Sequence, residues 1–361
     1  DFKRKPGSDL VYYLDNGRLF SYSVASKTTK KIYQQSTPIS NLELGSESGI
    51  VFFEQNDNIF KYNAKEGSVL QITNFSKGEK KSKTPEKDSF LKTQQKELFQ
   101  FIRDAEAKKQ WNLAKSKAVK SDFAKEYFYG KDSFYNLKAN PNGNFATFCL
   151  AEEADVKKEK MEVFITSDGY NQSPETKEKV STANFVKTKF GIYSVAKDSV
   201  YFVDFSKLSH IQDVPKYYES YDNLKSKAKE DKLIVAQAPV YNENGSIGIV
   251  EIRSQDNKDR WLVSLNLENG TFKEIEHQHD EAWIAGPGIP SYSFDSGILG
   301  FLADNETLYF QSEVTGYSHL YTYNFKSNKK TQLTSGNWEV RDVTLSNDKK
   351  TFYLTTNTTH P

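Results

Sequence analysis

The stretch LADNETLYFQSEVTGYSHLYTYNFKSNKKTQLT, residues 302–334, decides the fold. Short aromatic runs, LYF and then HLYTYNF, are separated by Asp, Asn, Gly and Lys-rich breaks. Aromatic and β-branched residues alternating at a period of two favour strands, and the polar breaks between them favour tight antiparallel turns. Thr315-Gly316 reads as a hairpin turn, with the next strand starting at Tyr317-Ser318-His319-Leu320. On that strand Tyr317 and His319 share one face and Ser318 takes the other, because neighbouring side chains alternate.

The same arrangement recurs in both directions from this unit. VYYLDNGRLFSYSV (11–24) is strand, Asp15-Asn16-Gly17 turn and strand, and IVFFEQNDNIFKY (50–62) repeats it, with Gln71-Ile72-Thr73 closing that unit. Further copies are read at 134–150, 190–205, 240–254 continuing into 261–275, and a beginning at 343–356. Leaving out one insertion, the spacing is roughly 40–50 residues, the period of a β-propeller blade. A β-sandwich also uses short strands and turns, but resemblance at a fixed period favours four-stranded units that must stack on their neighbours.

Composition agrees with an all-β chain: of 361 residues, 25 are Phe and 21 Tyr, against one Met. The net charge of +1 arises from 49 basic and 48 acidic residues, so no global charge points to nucleic acid. With Cys149 alone, an intrachain disulfide and most cysteine metal sites are excluded. The apolar runs are too short to span a membrane as a helix. Asp1 is not an initiator methionine, which leads to the expectation of a processed chain that has lost an export signal.

Residues 77–125 break the repeat. Thr84 is placed as a helix N-cap, Pro85 as the first helical residue, and Glu86 and Asp88 in the first turn. Leu91, Leu98, Phe99, Phe101, Ile102, Ala105 and Leu113 follow at mostly helical spacing. The segment carries fourteen Lys/Arg against seven Asp/Glu. It reads as a solvated helical arm whose apolar stripe covers the propeller rim, another domain or a second subunit.

Obvious chemistry is sparse. Gly316-Tyr317-Ser318-His319 sets a serine beside a histidine, but a hydrolase elbow needs G-x-S-x-G running from a strand into a helix, and Leu320 follows His319. His277-Gln278-His279 would aim both imidazoles to one face of a strand and could seed a zinc site. Asp280 and Glu281 are nearby as further ligands, but H-x-H alone is a weak signal, and the stretch is read as a solvated loop between blades. Glu152-Glu153, before a lysine run at 157–160, likewise reads as solvated. No metal, cofactor or catalytic residue is expected.

EVTGYSHLYTYNF followed by QLTSGNWEV resembles the propeller of dipeptidyl peptidase IV-type serine peptidases, of the prolyl oligopeptidase clan. The matching residues are Glu313, Gly316, Tyr317 and His319, then Thr334, Gly336, Trp338, Glu339 and Val340. NPNGNFATF (140–148) is similar to that family's Ser-Pro-Asn-Gly turn, with Asn140 in place of Ser. VFITSDGYNQ (163–172) and FGIYSVAKDSVYFVD (190–204) resemble the succeeding blade of bacterial members, which also carry a lysine-rich insertion after the Ile72-Thr73 strand end.

The resemblance implies a β-propeller of about seven to eight blades in the full protein, incomplete here, capping an α/β-hydrolase domain that carries the Ser-Asp-His triad. The domains expected are first blades over 1–76, a helical insertion over 77–128 and remaining blades over 129–361, with the hydrolase domain absent. The function implied is non-catalytic: gating access and positioning the peptide N-terminus for that hydrolase domain. The family's Glu-Glu pair, which holds the substrate ammonium, falls here on Phe128 and Tyr129. The nearby acids Glu126 and Asp132 are the substrate-binding candidates, and the family's supporting arginine has no counterpart, since Arg18 does not align. Expected partners are a peptide substrate and a second copy in a homodimer, with no nucleic acid. The resemblance implies a periplasmic or secreted bacterial protein. A stand-alone propeller binding a protein or glycan is the alternative.

Overall fold

The computed structural model describes residues 2–79, 100–118, 123–153, 157–179, 186–225, 230–289 and 296–359. The chain is all-β in character, built from successive antiparallel sheets. The first sheet comprises β1 (Phe2–Arg4), β2 (Leu10–Asp15), β3 (Arg18–Ser23) and β4 (Thr28–Tyr33); the second, β5 (Ser40–Leu44), β6 (Ile50–Gln55), β7 (Asn58–Asn63) and β8 (Ser68–Gln71). A short parallel pair, β9 (Phe75–Ser76) with β10 (Tyr127–Phe128), stands apart. The third sheet holds β11 (Ser133–Ala139), β12 (Phe145–Ala151), β13 (Thr188–Ser194) and β14 (Ser199–Phe202). The fourth holds β15 (Ile234–Ala236), β16 (Val240–Tyr241), β17 (Gly248–Ser254), β18 (Asp259–Leu265) and β19 (Phe272–His279). The fifth comprises β20 (Leu299–Phe301), β21 (Thr307–Ser312), β22 (His319–Asn324) and β23 (Lys329–Gln332). The sixth is the hairpin β24 (Val340–Leu345) and β25 (Phe352–Thr356).

Local chemistry sets the turns. Asp15 pairs with Arg18 across a two-residue loop in which Asn16 and Gly17 both take positive φ, 48° and 68°. That is the turn whose backbone twist matches antiparallel strands. A side chain at position 17 would collide with Pro38, so glycine is required there twice over. Asn56 and Asp57 repeat the geometry between β6 and β7.

The core lies between consecutive sheets. One apolar cluster joins the first and second sheets through Leu19, Leu42 and Phe53. Another joins the second and third through Phe52, Phe75 and Phe148. The third and fourth meet around Phe190, Ile252 and Trp261, the fourth and fifth around Ile249, Leu262 and Phe310. This explains why β6 and β12 are buried on both faces, reading as near-continuous apolar runs. The fourth strands differ: β4 is mostly exposed, β23 wholly so, and both present lysines, which discourages edge-to-edge pairing.

One reading of the repeat is corrected. Stretches 134–150 and 190–205 are not two units but halves of one sheet, since β12 pairs with β13 from Phe145↔Ser194 to Ala151↔Thr188. The chain between them leaves the sheet, so spacing alone counted one unit too many. Within 77–128, helix α1 (Gln100–Ala118) is present, and its Ala105 and Trp111 are exposed. The cap at Thr84-Pro85, with Glu86, Asp88, Leu91, Leu98 and Phe99, lies outside the described residues.

Candidate functional site

The Gly-Tyr-x-His region sits in the turn between β21 and β22. Gly316 closes the turn with φ 88°, its N–H donating to the Glu313 carbonyl at 2.8 Å. Ser318 and His319 are both buried, 0% and 1% exposed, but no hydrogen bond joins them. The Ser318 hydroxyl donates to the Pro287 carbonyl (2.7 Å) and accepts from Gln311 Nε2 (3.2 Å). His319 Nε2 lies 3.0 Å from the Gly336 carbonyl, which can only accept, so that nitrogen carries the proton. Its Nδ1 then faces the Thr334 hydroxyl at 3.1 Å, and the Trp338 ring stands edge-on at 5.1 Å. With both nitrogens committed, the imidazole is a fastening between β22 and the 334–338 loop. Tyr317 precedes the strand, which starts at His319, and is exposed; the expected shared face with His319 is therefore not formed.

Glu313, the acid of the same motif, packs its carboxylate against Gly286, where an added Cβ would collide with it. Burial pushes the Glu313 carboxyl above its ordinary range, partly opposed by a hydrogen bond from the Gly286 backbone.

His277 and His279 are not in a solvated loop: they end β19 and share one buried partner. Both His277 Nε2 and His279 Nδ1 lie 2.9 Å from Asp259 Oδ1, while Lys232 pairs with Oδ2. Burial raises the Asp259 carboxyl, but bonds from His277, Lys232 and His279 outweigh it and hold it below its usual range. The Lys232 ammonium thus takes the Asp259 oxygen that the two imidazoles leave, and no metal-holding group of three His, Cys, Asp or Glu occurs among the described residues. Glu152 and Glu153 are exposed, as read from the sequence.

The substrate-binding candidates lie near β10 and β11. Glu126 is exposed and accepts from the Ser76 hydroxyl at 2.8 Å. Asp132, half-buried, stands 3.8 Å from the Lys189 ammonium. Tyr129 is buried and its hydroxyl donates to Asp57 at 2.8 Å.

A feature invisible to local sequence patterns is a cavity of about 680 Å³ on which the early strands of five antiparallel sheets and the hairpin turn of the sixth converge. Lys3 and Arg4 reach it from β1, Glu43 from β5, Lys138 from β11, Val240 from β16, Gly300 from β20, and Lys349 from the β24–β25 turn. Lys138 pairs with Glu43 at 3.6 Å and Lys349 with Glu243 at 2.7 Å. Lys5 donates to the Ser46 carbonyl; burial lowers its ammonium from the ordinary range, against the pull of Glu243 and Glu47. Neither Glu126 nor Asp132 lines this cavity.

Residues 140–361 match a family model described as the dipeptidyl peptidase IV N-terminal region. No curated protein matches the chain in sequence. Among solved structures, dipeptidyl peptidase 4 of Porphyromonas gingivalis is 13% identical over 95% of this chain and 38% of its own, with a TM-score of 0.49. A candidate dipeptidyl aminopeptidase IV of Bacteroides ovatus is 14% identical over 95% of this chain and 40% of its own, also at 0.49. This chain thus spans well under half the length of those two proteins. The matched span exceeds half of the chain and holds both the Asn140-Pro141-Asn142-Gly143 turn and the Glu313 to Val340 motif, so the chain belongs to the dipeptidyl peptidase IV N-terminal region family.

Proposed function

We propose that this chain is the propeller region of a serine exopeptidase of the dipeptidyl peptidase IV type. It gates access to, and positions the peptide N-terminus for, a Ser-Asp-His hydrolase domain elsewhere in the protein. The observation that carries this reading is the family match over 140–361. Sheets packed face to face in chain order, with their early strands gathered on one cavity, support radial stacking. Glu126 and Asp132 are the proposed holders of the substrate ammonium, and an export address, periplasmic or secreted, belongs to the same reading. Among the described residues no helix is long and apolar enough to cross a membrane. A homodimer is supported by the exposed apolar side chains of Phe164, Ile165 and Tyr170 on the 157–179 excursion.

The test is hydrolysis of Gly-Pro and Ala-Pro chromogenic amides by the full-length protein. Release of the chromophore, abolished by a serine-directed inhibitor, supports the peptidase. A protein that binds a protein or glycan and releases nothing would instead be the stand-alone binding module.

A further inference from the structure

The cavity shared by the six sheets carries an uneven charge. Five cationic side chains line it, Lys3, Arg4, Lys5, Lys138 and Lys349, against two carboxylates, Glu43 and Glu243. The two acids are already paired, with Lys138 and Lys349. Lys3, Arg4 and Lys5 form no close ion pair among the described residues, although Lys5 feels Glu243 and Glu47, and Arg4 feels Asp9, at longer range; Arg4 Nε and Lys5 Nζ donate to backbone carbonyls, of Ser8 and Ser46. Lys3 and Lys5 are half-buried, where a cation loses hydration and gains most from an added anion. The volume lies within the range of about 300–1,000 Å³ typical of ligand sites.

We propose that this cavity binds acidic peptides, with Lys3, Arg4 and Lys5 receiving side-chain carboxylates. The proposal rests on the peptidase reading for its choice of a peptide. The interleaved Glu43 and Glu243 favour a peptide over a uniformly sulfated glycan, because a polymer anionic at every step would meet two like charges in the wall. A peptide of mixed character can set its carboxylates on β1 and pass neutral or basic side chains along the wall that carries Glu43 and Glu243. Entry of acidic peptides would be favoured by the local field, and the preference would fade as salt screens it.

The test uses the full-length protein and two fluorescein-labelled peptides, Ala-Pro-Asp-Glu and Ala-Pro-Lys-Lys, in fluorescence anisotropy at low and high salt. The acidic peptide should bind at least tenfold tighter at low salt, with most of that margin lost in 0.5 M NaCl. Lys3→Ala with Arg4→Ala, and separately Lys5→Ala, should each weaken the acidic peptide several-fold. Lys30→Ala, on the exposed outer strand of the same sheet, should leave it unchanged and reports any general charge effect. Equal binding of the two peptides, loss equal in the Lys30→Ala protein, or tighter capture of a heparin oligosaccharide at the same residues overturns the proposal. Cleavage of Gly-Pro amide without acidic preference removes this inference and leaves the peptidase reading standing. Acidic preference through Lys3 and Lys5 with no cleavage of any dipeptidyl amide does the reverse.

Discussion

Arg260 and Glu251 form an ion pair at 2.7 Å with both side chains shut off from solvent. The second Glu251 oxygen accepts the Gly297 N–H at 2.7 Å, and Arg260 Nη1 reaches the Gln311 carbonyl at 2.9 Å, which ties the fourth sheet to the fifth. Removing one partner strands a buried charge, which costs about 3–5 kcal/mol. Arg260→Leu should therefore destabilise by that amount in urea denaturation, while the double replacement Arg260→Met with Glu251→Leu should lose much less than the sum of its parts. A single replacement costing under about 1 kcal/mol, the value of an exposed pair, would remove this pair from the contacts that hold the two sheets together.

Glu313 should respond to pH in the sense opposite to a paired acid. Its folded carboxyl is raised by burial, so the native state binds the proton more tightly than the unfolded chain. Stability linked to this group is fully present below its unfolded range near 4.5 and falls as pH rises through the higher folded value. Glu313→Gln should then raise the melting temperature at pH 7 and change it little at pH 4. A drop at pH 7 would show that the Gly286 contact needs the charge.

Asp259 gives the contrary sign. Its folded carboxyl is depressed, so its contribution is present above the unfolded range near 3.8 and is lost as pH falls through the lower folded value. Asp259→Asn should lower the melting temperature at neutral pH and flatten the acid limb of the profile. An unchanged acid limb would assign acid lability to other groups.

Ser318→Ala removes a buried hydroxyl that donates to Pro287, a loss of about 1 kcal/mol. Amide hydrolysis by the full-length protein should keep its kcat, because Ser318 is a fastening and not a nucleophile. Abolition of kcat in a protein that still melts cooperatively would overturn that assignment.

Glu126→Gln and Asp132→Asn test the proposed ammonium holders. Each should raise KM for a dipeptidyl amide severalfold with kcat less affected, while an amino-blocked substrate should not distinguish variant from parent. Asp132→Asn also loses its half-exposed Lys189 contact, worth at most about 1 kcal/mol. Unchanged KM in both variants would leave the ammonium to other residues.

What the sequence disclosed was local. Asn16-Gly17 and the aromatic alternation of 302–334 specify turns and strands through backbone sterics and a two-residue period, and the structure forms them. The absence of a glycine after His319 was enough to disqualify a nucleophile elbow, and Ser318 and His319 indeed have separate partners. The joining of 134–150 to 190–205 was hidden, because strand pairing across an excursion is decided by contact and not by spacing. The H-x-H pair was read as solvated since its buried partner, Asp259, belongs to the neighbouring strand. The shared cavity was beyond any motif, each sheet giving it only one or a few residues.

The parallel pair β9–β10 brings Asn74 within 2.8 Å of the Tyr127 N–H, and Gly78 and Gly130 exchange backbone hydrogen bonds just beyond it. The two ends of the lysine-rich excursion are thus clamped side by side before the third sheet begins. Because closing a longer loop costs only about 0.6 kcal/mol for each doubling of its length, whatever lies beyond that clamp can lengthen, shorten or be exchanged with little consequence for the sheets. The excursion is a cassette, and this is the position at which the protein can take on new recognition surface without re-engineering its core.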